Sequence, residues 1–198
     1  MWPLQSSTDL PLNSDKVLPE HFHFSHRRMV EFADTDLAGL MHFSNFLRFV
    51  ECAEHAFFRS LGIRVHTSEG AAHQGWPRLE VSCKYLRPAR FEQTLEICLR
   101  IEEIRTSSLR YGFWIFAADE SDRSPLATGS CSIIHVALDT KAREIRKAPI
   151  PPKLRQHLES AVASPRTRSH RFATKSSTSS SCHSERSEES TSICASRP

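Results

Sequence analysis

The sequence lacks three features that would place it in a specialised class of protein. Its six cysteines contain no Cys-x-x-Cys pair and no other paired metal-ligand spacing, which argues against a zinc module or a redox motif. No apolar run approaches the roughly 18 residues that a membrane span needs. The first residues have neither a basic region nor an apolar core, so they do not form a secretory signal. We therefore expect a soluble, cytoplasmic protein with reduced cysteines.

An excess of one charge is also missing from most of the chain. Residues 1–163 hold 20 basic and 20 acidic side chains. The net charge of +3 arises in residues 164–198, which hold six basic and three acidic side chains. A basic face that binds nucleic acid is therefore not indicated. A nucleic-acid-binding protein remains an alternative only through the arginine- and serine-containing tail.

The length of 198 residues fits one domain with tails better than two full domains. Residues 1–20 are polar, contain three prolines and suggest a flexible leader. Residues 164–198 contain 12 serines and few large apolar side chains, a composition that cannot bury enough surface to become ordered. The sequence thus predicts a folded domain over 21–163 and a disordered tail.

A long helix is predicted from about Phe43 to Leu61. Its apolar residues recur at spacings of three and four, and they cover so wide an arc that much of the helix should be buried. Ser44 and Asn45 are predicted to cap the first turn, and Gly62 to follow the last one. Five phenylalanines make the helix too apolar to be covered easily by one small sheet, which predicts a contact with another copy: Phe43, Phe46, Phe49, Phe57 and Phe58.

The rest of the domain alternates between apolar and polar residues, as strands do. A first strand is predicted over 22–32 and a last one over 127–137, with strands around residues 79–85, 95–101 and 109–115 between them. A short helix over 153–162 follows a group of prolines. One buried helix and about five mostly antiparallel strands give an α+β domain, in which a sheet curls around the helix.

The segment Phe32-Ala33-Asp34-Thr35-Asp36-Leu37-Ala38-Gly39 places a carboxylate just before the long helix. A helix N-terminus carries unpaired backbone N–H groups and the positive end of the helix dipole. A carbonyl oxygen held there is polarised while a nearby aspartate attacks it or activates a water, which suits an ester or thioester hydrolase. The alternative is a simple turn, because short polar residues favour turns.

Residues 30–62, which include this segment, and residues 85–97 resemble the 4-hydroxybenzoyl-CoA thioesterase family. These proteins are acyl-CoA thioesterases of the hotdog superfamily, and the resemblance covers roughly residues 22–160. It implies a hotdog fold, with a five-stranded, mostly antiparallel sheet curled around the central helix. It also implies hydrolysis of an acyl-CoA to the free acid and CoA without a cofactor or a metal, in a homodimer or homotetramer.

The resemblance implies roles for several residues. Asp36 is the catalytic carboxylate, as nucleophile or as general base, and the backbone N–H of Phe43 is the oxyanion donor. Asp34 shapes the loop through hydrogen bonds. The predicted substrate-lining residues are His42, Asn45 and Glu51. Asn45 could instead bond the loop or cap the helix, and Glu51 could be a solvated or paired helix residue. The predicted CoA-binding residues, which otherwise form a polar turn, are Arg105, Ser107 and Ser108.

Other candidates are weaker. Arg87 and Arg90 flank a proline and could also meet phosphate. Cys52 and Glu54 stand where relatives often carry Glu and Arg, which leaves open any salt bridge there. A run of three histidines at 21, 23 and 26 lacks the further ligands of a tetrahedral metal site, so we expect no metal. The functional alternatives are a hotdog dehydratase, which needs a histidine and an acid on the central helix, and a non-catalytic acyl-CoA or acyl-carrier-binding protein.

Limited proteolysis is expected to remove the residues beyond about 164 and to leave a folded core. The physical reason is that a serine-rich segment with few apolar side chains leaves its backbone accessible to a protease. Mass spectrometry of the digest locates the end of the core. Resistance of these residues to the protease would show that the tail docks on the domain.

Overall fold

The computed structural model describes residues 18–63, 72–122, 124–139 and 144–164. The predicted tail beyond 164 and most of the predicted leader therefore lie outside the described residues. In chain order the elements are β1 (Phe24–Met29), a 3-10 turn (Phe32–Asp34), α1 (Phe43–Ser60), β2 (Ala72–Gly75), β3 (Arg78–Tyr85), β4 (Thr94–Ile104), β5 (Ser108–Ala117), β6 (Ala127–Ile134), β7 (Val136–Asp139), β8 (Glu144–Lys147) and α2 (Pro152–Ala163).

The main sheet has five antiparallel strands, as predicted, and their order is β1-β4-β5-β6-β3. A small second sheet, β2-β7-β8, was not predicted. The prediction of one strand over 127–137 was wrong because the chain changes sheets at His135. The His135 N–H donates to the Ser107 carbonyl (2.7 Å), and Val136 begins the second sheet. The first strand is also shorter than predicted, since its last residues form the 3-10 turn.

Helix α1 lies against the main sheet and forms the centre of the core. Four of its five phenylalanines are buried by this one chain: Phe46, Phe49, Phe57 and Phe58. The expectation that this face requires a second copy was wrong, because the inward side chains of the curled sheet already cover it. Each buried phenylalanine contributes about 2–3 kcal/mol of transfer free energy. Only Phe43, at the start of the helix, is exposed (62%).

Exposed apolar side chains also lie on the edge strand β3. In the described part of the chain, β3 pairs with β6 along one side only. Val81 and Tyr85 point to the same side of the sheet as α1, yet they are 37% and 46% exposed, and Leu79 at the start of the strand is 61% exposed. An edge with free backbone groups and apolar side chains is a ready site for pairing with another chain.

A polar network crosses the core between α1 and the sheet. The buried Glu54 carboxylate on α1 accepts hydrogen bonds from the Arg78 guanidinium (2.8 Å) and from the Tyr111 hydroxyl. Burial and the nearby Glu54 carboxylate raise the pKa of Tyr111, which therefore stays a neutral donor. The guanidinium also reaches Glu51 (3.3 Å). The sequence left open whether a salt bridge forms at the Glu54 position, and the structure has one there, with Arg78.

Arg78 faces the core because β3 contains a β-bulge. Arg78 lies opposite Ile133 on β6, whereas Glu80 lies opposite Ser132, so Leu79 is the additional residue. Without the bulge, the alternation of the strand would place Arg78 on the outer face with Glu80. The bulge therefore brings a cation to the one buried carboxylate of the described part of α1.

Replacement of Arg78 by methionine is expected to destabilise the fold by about 3 kcal/mol, because it leaves Glu54 buried without its cation. Denaturant unfolding measures the loss. The matched control is Arg146→Met, whose partner Glu144 lies on the surface (3.0 Å), and which should cost less than about 1 kcal/mol. Equal effects of the two substitutions would contradict a buried ion pair.

Candidate active site

The predicted Asp-Thr-Asp segment forms a tight hairpin that leads directly into α1. Thr35 pairs with Met41, and the Asp36 N–H donates to the Leu40 carbonyl (2.8 Å). Gly39 closes the turn with a positive φ of 70°, a conformation that residues with a Cβ rarely adopt. Asp36 is therefore held near the tip of a hairpin that ends one residue before α1.

Asp34 fixes the base of this hairpin to the helix. Its backbone carbonyl accepts two hydrogen bonds, from the His42 N–H (2.9 Å) and from the Asn45 side-chain amide (2.9 Å). Its buried carboxylate accepts the Glu31 N–H (3.1 Å). Asn45 itself is buried, so its amide serves the loop, which is one of the two roles the sequence left open. Asp34 and Asn45 together set the position of the loop.

Asp36 has a different environment, since it is exposed to solvent. One carboxylate oxygen accepts the N–H groups of Ala38 (2.8 Å) and Leu40 (3.3 Å). The other oxygen has no hydrogen-bond partner among the residues that the structure describes. Asp36 thus presents an oriented carboxylate with one oxygen available for chemistry.

The N-terminus of α1 differs from the prediction in its cap. His42, rather than Ser44 or Asn45, is the N-cap residue, and its Nδ1 accepts the Ser44 N–H (3.4 Å). The Asn45 N–H donates to the His42 carbonyl (2.9 Å). Within the described chain, the Phe43 N–H has no partner. A helix N-terminus with an unpaired donor is a site for a partial negative charge.

A further segment, within the residues 85–97 that carry the resemblance, supports the hairpin, a role that was not predicted. The Met41 N–H donates to the Ala89 carbonyl (2.9 Å), and Leu40 forms a bridge with Arg90. Glu92 in the following turn has a positive φ of 63°, and its N–H donates to Val30 (2.9 Å). A strained conformation of this kind persists only where its surroundings fix it. The turn between β3 and β4 is therefore part of the hairpin's support.

The predicted CoA-binding residues lie at the other end of the sheet, beside an open groove of about 400 Å³. Arg105 and Ser108 line this groove, together with Arg110 and Glu103, which were not predicted. Ser107 is buried and does not line it. The turn is held by the C-terminal part of the domain: the Ile150 N–H donates to the Thr106 carbonyl (2.8 Å), and Arg155 donates to the Arg105 carbonyl.

Glu51 lies apart from the hairpin. It is half-exposed on α1 and pairs with Arg78, about 12 Å along the helix axis from Phe43, at a rise of 1.5 Å per residue. Within one chain, the structure thus brings the hairpin and the helix start together, and it leaves Glu51 and the groove as separate features.

The three histidines do not gather into a metal site. The Nδ1 of His23 accepts the Ile101 N–H (2.8 Å), and burial lowers the pKa of His23, which favours the neutral ring. In the described residues no three His, Cys, Asp or Glu side chains come together as ligands. No helix of that part of the chain is both long and apolar enough to cross a membrane. The four cysteines of the described residues form no disulfide: Cys52, Cys83, Cys98 and Cys131.

The helix wrapped by an antiparallel sheet is the hotdog fold, and comparison with known proteins identifies its class. Residues 30–158 match the family model described as the thioesterase-like superfamily. The match spans well over half of the chain, so the protein belongs to this superfamily of thioester hydrolases.

Its relatives share most of their length with it. It is 27% identical over 136 residues to the 1,4-dihydroxy-2-naphthoyl-CoA hydrolase of Thermosynechococcus vestitus, covering 69% of this chain and 88% of the relative. The hydrolase of the same name from Picosynechococcus is 28% identical over 143 residues, 70% of this chain and 93% of the relative. Among solved structures, Slr0204, a 1,4-dihydroxy-2-naphthoyl-CoA thioesterase from Synechocystis, superposes with a TM-score of 0.56 at 22% identity, covering 71% and 95% of the two chains. The predicted resemblance therefore holds for the superfamily, whereas these relatives carry the name of a different acyl group.

Proposed function

We propose that the protein hydrolyses an acyl-CoA thioester to the free acid and CoA, with Asp36 as the reacting carboxylate and the Phe43 N–H as the oxyanion donor. The observation that carries this proposal is the hairpin pinned to the start of α1, which offers an oriented carboxylate with one available oxygen. Thioester hydrolysis needs a carboxylate beside a donor for the carbonyl oxygen, and it needs no metal.

Two routes use the same groups. As a general base, Asp36 takes a proton from a water that attacks the thioester carbonyl, and the tetrahedral intermediate expels the CoA thiolate. As a nucleophile, it forms a mixed anhydride and releases the thiolate, and water then hydrolyses the anhydride. In both routes the negative charge develops on the carbonyl oxygen, which the Phe43 N–H stabilises. The thiolate finally takes up a proton from solvent.

The acyl group is proposed to be aromatic, by analogy with the substrate in the relatives' names and with the family that the sequence resembles. The experiment that tests the function is thiol release from a panel of acyl-CoAs. The panel contains 1,4-dihydroxy-2-naphthoyl-CoA, 4-hydroxybenzoyl-CoA and short and long aliphatic acyl-CoAs. Release from none of them would contradict the proposal. Hydrolysis of the aliphatic esters alone would contradict the aromatic acyl group.

The dehydratase alternative receives no support from the interior of the fold. His23, which precedes β1, and Glu54 on the central helix do line one cavity together with Tyr111. That cavity has a volume of about 10 Å³, which is room for about one water molecule and not for a substrate. The free thiols agree with the proposed cytoplasmic location.

Replacement of Asp36 by asparagine is expected to lower turnover on the best acyl-CoA about a hundredfold or more, because asparagine neither accepts the proton nor attacks the carbonyl. Thiol release at saturating substrate measures the effect. Asp34→Asn is the matched control: the backbone carbonyl that holds the hairpin is kept, so its effect should be smaller. Nearly full activity of a folded Asp36→Asn variant would exclude both routes.

The proposed homodimer forms through edge strand β3. If two β3 strands pair antiparallel about Ser82, Glu80 of each copy lies opposite Lys84 of the other on the outer face. The same register places Leu79 opposite Tyr85, and both side chains are exposed in the single chain. Opposite charges and apolar pairs directly across an antiparallel ladder are stabilising. This self-complementary pattern supports a two-fold pairing of β3. A homotetramer remains the alternative.

Replacement of Glu80 by lysine is expected to weaken the dimer about tenfold, because it places two like-charged pairs across the two-fold axis. Lys84→Glu should act in the same way for the same reason. A variant with both changes exchanges the charges and should restore the affinity. Sedimentation equilibrium over a range of concentrations measures the dissociation constant. Equal constants for all four proteins, or a monodisperse and fully active monomer, would contradict pairing in this register.

A further inference from the structure

The groove beside Arg105 is built by two β-bulges. The bulge at Leu79 interrupts β3, and a second bulge interrupts β4, where Ile101 lies opposite Tyr111 but Glu103 lies opposite Arg110. Strict alternation would turn Glu103 toward the core with Ile101. The bulge instead turns it to the outer face. The result is a polar row across four strands at the floor of the groove: Glu80, Ser132, Arg110 and Glu103.

The two arginines of this groove are already paired with acids. The Arg105 Nε lies 2.7 Å from a Glu103 carboxylate oxygen, and the Arg110 Nε lies 3.3 Å from Glu102. The Arg105 side chain is nevertheless 70% exposed, so it can exchange one partner for another. The carboxylate of Glu103 occupies the guanidinium edge that a phosphate oxygen would use.

We infer that Glu103 is an intramolecular competitor for phosphate at Arg105 and thereby sets the affinity of the groove for the nucleotide end of CoA. The inference rests on the proposed function in so far as CoA is the ligand. A phosphate that binds to the Arg105 guanidinium displaces Glu103. The net gain in binding free energy is therefore reduced by the ion pair that is lost. Exposed ion pairs are weak, and the competition therefore tunes affinity rather than preventing binding.

The experiment measures binding of adenosine 3′,5′-bisphosphate, which carries the phosphates of the nucleotide end and no thioester, by titration calorimetry. Glu103→Gln is expected to bind this probe about two- to fivefold more tightly than the wild type, since the weak exposed pair no longer has to be broken. Its affinity should also depend more steeply on salt, because the groove has gained a net positive charge. Unchanged or weaker binding would overturn the inference.

The matched control is Glu144→Gln. Glu144 and Arg146 on β8 form an exposed ion pair with the same two-residue spacing, and neither lines the groove. This substitution changes the net charge of the protein equally and should leave the affinity for the probe unchanged. A comparable gain would show that net charge alone is responsible, which would overturn the role of Glu103.

The specific claim is that Glu103 acts through Arg105, and a double-mutant cycle tests it. In an Arg105→Gln background the gain from Glu103→Gln should disappear, because there is no guanidinium left to release. Persistence of the gain would overturn the inference. The binding measurement separates this inference from the proposed function. If the protein shows this binding pattern but hydrolyses no acyl-CoA, the proposed enzymatic function is refuted, whereas the role of Glu103 as a competitor for phosphate is retained. Conversely, hydrolysis with an unchanged KM in Glu103→Gln would refute only the competitor, since the expected effect is a lower KM at equal kcat.

Discussion

Helix α1 carries apolar side chains over so wide an arc that only a sheet wrapped around it can remove them from water. Phe49 and Phe58 are completely buried by that sheet, so the apolar face of the helix is closed to a substrate. Its N-terminus is the exception, because the first N–H groups of a helix lack intrahelical partners. The hairpin is tied to this end through the Asp34 carbonyl, which accepts one backbone and one side-chain donor of the helix start. The wrapping of α1 thus decides where a reactive site can form.

The two β-bulges determine which side chains face the core at the far end of the sheet. They lie on either side of the row that contains Ser132 and Arg110. One bulge turns Arg78 inward, and the other turns Glu103 outward. The first bulge supplies a cation to the buried Glu54, and the second creates an acid beside Arg105. A regular sheet of the same composition would leave Glu54 without its cation and bury Glu103 among apolar residues. Both changes would be costly.

The sequence predicted what depends on local periodicity, and it missed what depends on one-residue shifts. The bounds of α1 and the position of the Asp36 loop follow from spacing and turn chemistry. A bulge breaks the two-residue period without a distinctive residue, so the inward Arg78 and the outward Glu103 could not be placed. The His42 cap was missed because Ser and Asn are the usual cap residues.

The coverage of the five phenylalanines could not be judged from the helix alone, since it depends on how far the sheet curls. The residues that remain exposed are therefore informative. Among them are Phe43 at the start of α1 and Tyr85 on β3, whose rings lie 6.4 Å apart. Part of the apolar surface left uncovered by the fold is thus next to the helix end at which the hairpin is attached.

The position of the Phe43 and Tyr85 rings connects the proposed dimer with the proposed reaction. In a single copy, Asp36 and the Phe43 N–H face solvent, and a donor in water stabilises an oxyanion far less than the same donor in a dry site. A second copy paired along β3 would cover the Phe43 and Tyr85 rings, because they adjoin that edge. A contact that excludes water from these rings would then also exclude water from the substrate carbonyl that the Phe43 N–H polarises. The same contact that stabilises the proposed dimer would strengthen the oxyanion donor, so a monomer would bind substrate in a wet site and turn it over slowly.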